Sequence, residues 1–412
     1  MLGRFFARWL GDPALVLAVM LVTGFGIAMI YSAGVLNIPS PITQGAWLRQ
    51  TRWFVIAIVA FTAVRQVRPR WFEWIAFPAY GLSLVLLAAT LVVGTGSGTA
   101  AGVKSFLDVG FIRFQPAELA KLATILALAH YLATRPEDPT TLRALVTPSA
   151  IVGIPLGLVI LQPDLGTALA FGGILFATLF WAGAPVGLLA LLASPGVGLI
   201  LSFNNKIWAV FFMMVVGSLY LYRYRLFLVE SLTVVLANLA AGTIATPLWN
   251  SLAEYQQNRI LVFLDPSVDP RGAGYHLIQS MVAIGSGGLS GKGFTQGTQK
   301  RLDFLPEQHT DFIFSVIGEE LGFLGTGLAL TLFAFILYRL VKMAEGAVDP
   351  FAGLVIFGIF GGWLVHIFVN VGMTVGMVPV TGIPLPFVSY GGTFLLMSWI
   401  AVAMATRVAY DE

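Results

Sequence analysis

The chain contains no cysteine, which excludes disulfides and thiolate metal sites. Charge is scarce: only 10% of its 412 residues are Asp, Glu, Lys or Arg, against about 25% in a soluble domain. There are four histidines, and none falls in an HExxH-type spacing. No short-period repeat is visible, nor an inverted pair of broken helices of the kind secondary transporters show. The Gly-rich run GSGGLSGKG at 285–293 lacks the spacing of a phosphate-binding P-loop. The net charge of +3 says little about partners, because the placement of Lys and Arg matters more in such a chain. Nothing indicates nucleic acid.

What fills the chain is apolar. Hydrophobic residues make up 58% of it and the mean hydropathy is +0.87, which makes it an all-α polytopic membrane protein. Apolar runs predict about twelve spans, at about 14–34, 52–66, 71–94, 116–133, 147–162, 164–183, 186–202, 207–222, 226–249, 311–340, 351–376 and 387–408. The first is read as an anchor that is kept, since no small-residue cleavage site is obvious. The domain expectation is one transmembrane unit over 1–412, with an extra helical hairpin at about 203–249 and one long polar loop at 251–310. Basic residues beside short loops set the orientation. With Arg4 and Arg8 inside, Arg65, Arg68, Arg70, Arg135, Arg143, Arg223, Arg225, Arg339, Lys342 and Arg407 also fall inside. Both termini are then cytoplasmic and 251–310 lies outside.

The stretch FLPEQHTDFIFSVIGEELGFLG, 304–325, brings Glu307, Asp311, Glu319 and Glu320 to the start of a span. Charges in hydrocarbon are costly and usually functional, so Asp311 needs a reason. Glu319 is expected to be a buried partner nearly under Asp311, and Glu320 to face another helix. Glu118 and Lys121, three residues apart, share a helix face and pair either at the interface or toward a polar cavity. Asp164 reads as the N-cap of the next helix. In the long loop, Arg259, Arg271, Lys292, Lys300 and Arg301 alternate with Asp265, Asp269, Asp303 and Glu307. Gly-rich backbone beside Lys292 could hold a pyrophosphate through amide donors. The run HLIQSMVAI reads as a segment lying in the interface. Pro379, Pro384 and Pro386 forbid a continuous helix before the last span, and Ser389 and Tyr390 are expected to open it. His276 and His309 raise the question of a metal. The expectation is no organic cofactor and at most a divalent cation such as Mg²⁺ or Mn²⁺, held mostly by substrate oxygens.

The motifs FQPAELAK, QPDLGTA, FLDPSVDPRGAGYH, FLPEQHTDFIFSVIGEELG and PVTGIPLPFVSYGG together resemble the SEDS family of shape, elongation, division and sporulation proteins, over nearly the whole chain. GKG, GT and Phe before LPE are similar to its elongation branch; division members usually read GLG, S and Tyr there. The resemblance implies a ten-span core and polymerisation of lipid II into glycan strands during elongation of a bacterial cell. It also implies a class B penicillin-binding protein as cross-linking partner, with other membrane proteins of the elongation complex. Asp311 matches the essential acid, which implies a general base on the acceptor sugar with undecaprenyl pyrophosphate as leaving group. Substrate contacts are expected from Glu118, Lys121, Gln115, Lys104, Phe106, Arg259, Lys292, His309, Glu307, Ser389 and Tyr390. Two departures stand out: Ser105-Phe106 replaces the usual Arg-Trp, and Ala117 the usual Ser. Phe106 still offers an aromatic face. A lipid II translocase is the rival reading, since it too needs many helices, intramembrane charges and a polar cavity. A scaffold that only recruits the cross-linking partner leaves the acids without a reason.

Overall fold

The computed structural model describes residues 11–37, 43–96, 104–110, 112–221, 228–252, 254–265, 269, 273–301 and 307–410. Of the residues read above, Arg4, Arg8, Arg223, Arg225, Arg271 and Asp303 lie outside the described residues.

Twelve long helices run through the described residues. They are α1 (Pro13–Ala33), α2 (Ala46–Arg65), α3 (Pro69–Val93), α4 (Pro116–Ala133), α5 (Leu142–Leu161), α6 (Leu165–Trp181), α7 (Val186–Leu201), α8 (Asn205–Leu221), α9 (Leu228–Ser251), α13 (Ile313–Gly346), α14 (Pro350–Thr374) and α15 (Gly392–Ala409). Between α9 and α13 come α10 (Glu254–Leu264), α11 (Ala273–Gly287) and α12 (Thr298–Arg301). A short antiparallel hairpin, β1 (Leu107–Val109) and β2 (Ile112–Phe114), precedes α4. Seven of the helices are long and apolar enough to cross a membrane, and α6, α7 and α8 are shorter apolar ones. The chain is a multi-pass membrane protein.

Helix starts follow local chemistry. Asp12 caps α1 by accepting from the Leu15 amide at 2.8 Å, with Pro13 at the first helical position. Asp164 accepts from the Thr167 amide at 3.0 Å and its hydroxyl at 2.8 Å, so the capping expectation holds. Thr141 and Asp349 cap α5 and α14. Thr141 moves the start of α5 from the expected 147 back to 142.

The centre of the bundle is α14, flanked by α6, α13 and α4. Helices α6 and α14 cross on glycine: a Cβ on Gly361 would sit 2.4 Å from the Gly173 carbonyl. Without a hydrophobic drive between helices in lipid, such close backbone approach supplies the packing. The α8–α9 hairpin stands at the edge and packs on α7, where Asn238 donates to Ser194 Oγ at 2.8 Å.

Four expectations are corrected. The last helix does not open at Ser389 and Tyr390 but at Gly392. Residues 375–391 are non-helical, because three prolines interrupt them and because Ser389 and Tyr390 bond to another segment. The long helix is not continuous from 311: it starts at Ile313 and breaks at Gly322, whose φ is +62°. The loop 287–293 is stitched into that break. Lys292 and Gly293 amides donate to the Glu319 and Glu320 carbonyls at 3.0 and 2.9 Å, and Phe323 and Leu324 amides donate back to the Gly288 and Leu289 carbonyls. The amides expected to receive a pyrophosphate are therefore engaged within the protein. Finally, HLIQSMVAI does more than lie in an interface. It forms most of α11, which packs along α13, with Ser280 Oγ 2.6 Å from Ser315 Oγ and donating to the Thr374 carbonyl at 2.7 Å.

Candidate active site

Asp311 sits in a tight turn, 307–312, just before α13. The Glu307 carbonyl accepts from the Thr310 and Asp311 amides, both at 3.1 Å. This turn lies against the non-helical 375–391 segment and is tied to it residue by residue. Tyr390 N–H donates to the His309 carbonyl at 2.9 Å. Ser389 Oγ donates to the Thr310 carbonyl at 2.6 Å while accepting from the Leu385 amide. Asn370, on α14, donates to the Asp311 carbonyl at 2.9 Å and the Ile383 carbonyl at 2.8 Å. Gln50 on α2 completes the frame, donating to the Ser389 carbonyl and accepting from the Gly391 amide.

Gly382 makes room for the acid. Its φ is +73°, and a Cβ there would stand 3.2 Å from Asp311 Oδ2. Among the described residues no ion pair reaches the Asp311 carboxylate. Burial, then the neighbouring Glu307 charge, push its carboxyl up to about 7; Arg259 opposes them and Asp164 adds to them. That is the range a general base needs. His309 behaves oppositely: burial, then Arg49, hold it down at about 4, so it is neutral. Its ring lies 5.3 Å from that of Tyr390, whose hydroxyl accepts from Arg49 Nε at 3.1 Å.

The predicted site residues thus fall into groups. Glu307, His309, Asp311, Arg259, Ser389 and Tyr390 gather around the turn. Gln115 reaches the same region, donating to Asp164 at 3.4 Å. A cavity of about 40 Å³ beside it is lined by Arg259, Leu165, Val380 and Thr381. Glu118 and Lys121 lie deeper. They pair at 2.8 Å with both side chains buried, beside a space of about 30 Å³ that they help to line, so the pair faces the interior. Lys292 stands elsewhere: it is ion-paired to Glu319 at 2.8 Å and donates to Thr298 at 2.7 Å. Lys104 is exposed at the hairpin. Phe106 carries the Arg113 guanidinium over its ring at 5.3 Å, so an arginine meets the aromatic here although 105 is serine. The hairpin is anchored where Thr393, at the start of α15, donates to the Arg113 carbonyl at 3.0 Å.

Neither His276 nor His309 gathers ligands. His276 stacks on Phe312, His309 lies tilted against Tyr390, and no group of three potential ligands occurs among the described residues. Glu319 is buried as expected but serves Lys292 and the amides of Thr298 and Gln299. Glu320 binds Lys300 at 2.5 Å, with both side chains fully buried, and accepts from Ser32 of α1.

Sequence reasoning missed Arg49, Gln50, Arg113, His366 and Asn370. The last two carry a signal: they are polar, four residues apart, in an otherwise apolar 25-residue helix.

A helical membrane bundle with a raised carboxyl at one end and a buried charge pair beneath defines an integral-membrane protein built for polar chemistry at its boundary. The family model described as cell cycle protein, FtsW/RodA/SpoVE, matches residues 13–216 and 207–412. The chain belongs to this family, the SEDS proteins that its motifs resemble. It is 34% identical over 398 residues to the peptidoglycan glycosyltransferase MrdB of Escherichia coli K12, covering 96% of this chain and 92% of that one. It is 32% identical over 427 residues to the peptidoglycan glycosyltransferase RodA of Treponema pallidum, covering 96% and 97%. Among solved structures, a chain from a study of structural coordination of polymerization and crosslinking by a peptidoglycan synthase complex matches with a TM-score of 0.70 at 28% identity, covering 97% of both chains. The rod shape determining protein RodA of Thermus thermophilus matches at 0.62 and 27%, covering 97% and 96%.

Proposed function

We propose that this chain is a peptidoglycan glycosyltransferase that polymerises lipid II at the outer face of the bacterial cytoplasmic membrane during cell elongation. Asp311 is the general base. The C4 hydroxyl of the acceptor GlcNAc attacks C1 of the growing, lipid-linked glycan. The new C1–O bond forms as the bond to undecaprenyl pyrophosphate breaks, and the hydroxyl proton passes to Asp311. A direct displacement inverts C1, and no second carboxylate need form a covalent intermediate. A sugar hydroxyl is a weak nucleophile, so a positioned base contributes about 10²–10⁴-fold.

The observation that supports this best is the Asp311 carboxyl itself: without an ion pair among the described residues, raised to about 7, and given space by Gly382. Arg259, close enough to act on that carboxyl, is placed to oppose charge on the departing pyrophosphate. Lys292 is not, because it lies at the 287–293 turn beside Glu319 and away from the acid. A divalent cation at this site would be held mostly by substrate oxygens, since no group of three potential ligands occurs among the described residues. When bound, it would neutralise the pyrophosphate. Polar groups concentrated at the 307–312 turn favour chemistry there over a translocation path distributed through the bilayer.

In the same reading both termini are cytoplasmic, and a class B penicillin-binding protein cross-links the product. A matched structure comes from a synthase complex that polymerises and cross-links. The test is polymerisation of labelled lipid II by the purified protein, alone and with its penicillin-binding partner. Asp311→Asn should lose at least about 10²-fold in rate while inserting and capturing the partner normally. Wild-type polymerisation by Asp311→Asn would sink the assignment.

A further inference from the structure

One buried side chain touches both halves of the site. His366 Nε2 lies 2.8 Å from Lys121 Nζ, and His366 Nδ1 lies 3.0 Å from the Pro384 carbonyl. Chemistry fixes the roles. A carbonyl only accepts, so Nδ1 carries the proton and donates to Pro384. A neutral ring then offers Nε2 as acceptor, and the Lys121 ammonium donates to it. The opposite tautomer would turn an N–H toward an ammonium and leave a lone pair against the carbonyl. Lys121, held in turn by Glu118, therefore selects the tautomer that bonds Pro384. The Phe394 ring floors both groups: His366 stacks on it at 5.0 Å and Lys121 Nζ sits 5.2 Å above it.

Pro384 belongs to the segment that walls the acid. Asn370, one turn along α14 on the same face, holds the adjacent Ile383 carbonyl and the Asp311 carbonyl. The next residue back is Gly382, which faces the Asp311 carboxylate. We infer that His366 is a positioning residue. Its Nδ1–H, in the tautomer set by the Glu118–Lys121 pair, fixes the 382–384 backbone against Asp311, so that the charge pair acts on the reacting end through the imidazole. The inference rests on the polymerase reading.

The test uses the full-length protein with lipid II and reads kcat, KM and thermal unfolding for three variants. His366→Phe removes both bonds, and a misplaced reacting group costs up to about 10²-fold. Its kcat should fall about 10- to 100-fold, with KM within about 3-fold of wild type. His366→Asn places an amide nitrogen near Nδ1 and should recover most of that loss. His366→Gln reaches Lys121 but not Pro384 and should stay within about 3-fold of the Phe variant. A role in packing alone would move unfolding temperature without this ordering. Equal kcat for Asn and Gln, or Gln above Asn, overturns the inference even if the Phe variant does not fold. Asp311→Asn measured in parallel tests the base assignment by itself, while the Asn–Gln ordering tests His366 whichever acid serves as base.

Discussion

Removing Lys300 should unfasten the outer segment from the bundle. Its ammonium makes three bonds, to Glu320 Oε1 at 2.5 Å, to the Ser32 carbonyl at 2.5 Å and to Ser32 Oγ at 2.7 Å. Lys300 and Glu320 are both at 0% exposure. Lys300→Met fills similar space but leaves the Glu320 carboxylate buried with bonds from Ser32 Oγ and the Gly297 amide. Breaking one side of a buried pair costs about 3–5 kcal/mol, whereas replacing both charges is often near neutral. The unfolding entropy, at about 2.1 cal/mol/K per residue, comes to about 0.9 kcal/mol/K for this chain. Lys300→Met should then lower the unfolding temperature in detergent by about 3–6 °C. Lys300→Met combined with Glu320→Leu should recover more than half of the loss. The assay is thermal unfolding of each purified variant at one detergent and lipid composition. A shift below about 1 °C for the single variant, or a double variant less stable than the single, refutes the claim that the pair is a buried clasp.

Three further outcomes bear on the acid. Because the Asp311 carboxyl is raised to about 7, kcat/KM should rise about tenfold per pH unit below that value and level off above it, as the base loses its proton; a flat profile from about pH 5 to 8 argues against Asp311 as base. Asp164→Asn keeps an acceptor for the Thr167 amide but removes a negative charge that raises Asp311, so the rising limb should move to lower pH, and a move to higher pH would contradict the electrostatics. Gly382→Ala forces an L side chain to φ +73° and sets a methyl 3.2 Å from Asp311 Oδ2; left-handed backbone alone costs about 1–2 kcal/mol, and kcat should drop about tenfold or more, whereas full activity would mean that the wall can shift freely.

The frame was legible because its signals are local. Apolar length marked the spans, three-residue spacing paired Glu118 with Lys121, and a carboxylate ahead of an apolar run marked both Asp164 as a cap and Asp311 as an anomaly. What stayed hidden depends on long-range pairing. Nothing in the order of the loop's lysines says that Lys292 goes to Glu319 and Lys300 to Glu320, 27 and 20 residues away. Gly322 looked like one more glycine in a membrane helix; its break shows only when the 287–293 turn is seen to fill it. Ser389 and Tyr390 looked like helix-opening residues because their partners, the carbonyls of Thr310 and His309, belong to a distant turn. His366 and Asn370 were readable by type but not by role, since each acts on backbone carbonyls that carry no sequence identity.

These hidden pairings share one consequence for the acid. The turn 307–312 is held from two sides by unlike means. On the α1 side, Lys300 reaches the Ser32 carbonyl, Gln308 donates to the Ala33 carbonyl at 3.1 Å and the Asn37 amide donates to the Arg301 carbonyl at 3.0 Å. They add to the bonds that the Gly34 and Val35 amides already make to the last carbonyls of α1. On the α14 side, the turn's own carbonyls receive Asn370, Ser389 and Tyr390. Every one of these bonds uses backbone or a buried side chain, and none uses the Asp311 carboxylate. The fold thus fixes where the acid stands through its backbone and leaves its carboxylate without an ion pair among the described residues, with the Thr310 hydroxyl as its hydrogen-bond neighbour, which is compatible with the proposed general base.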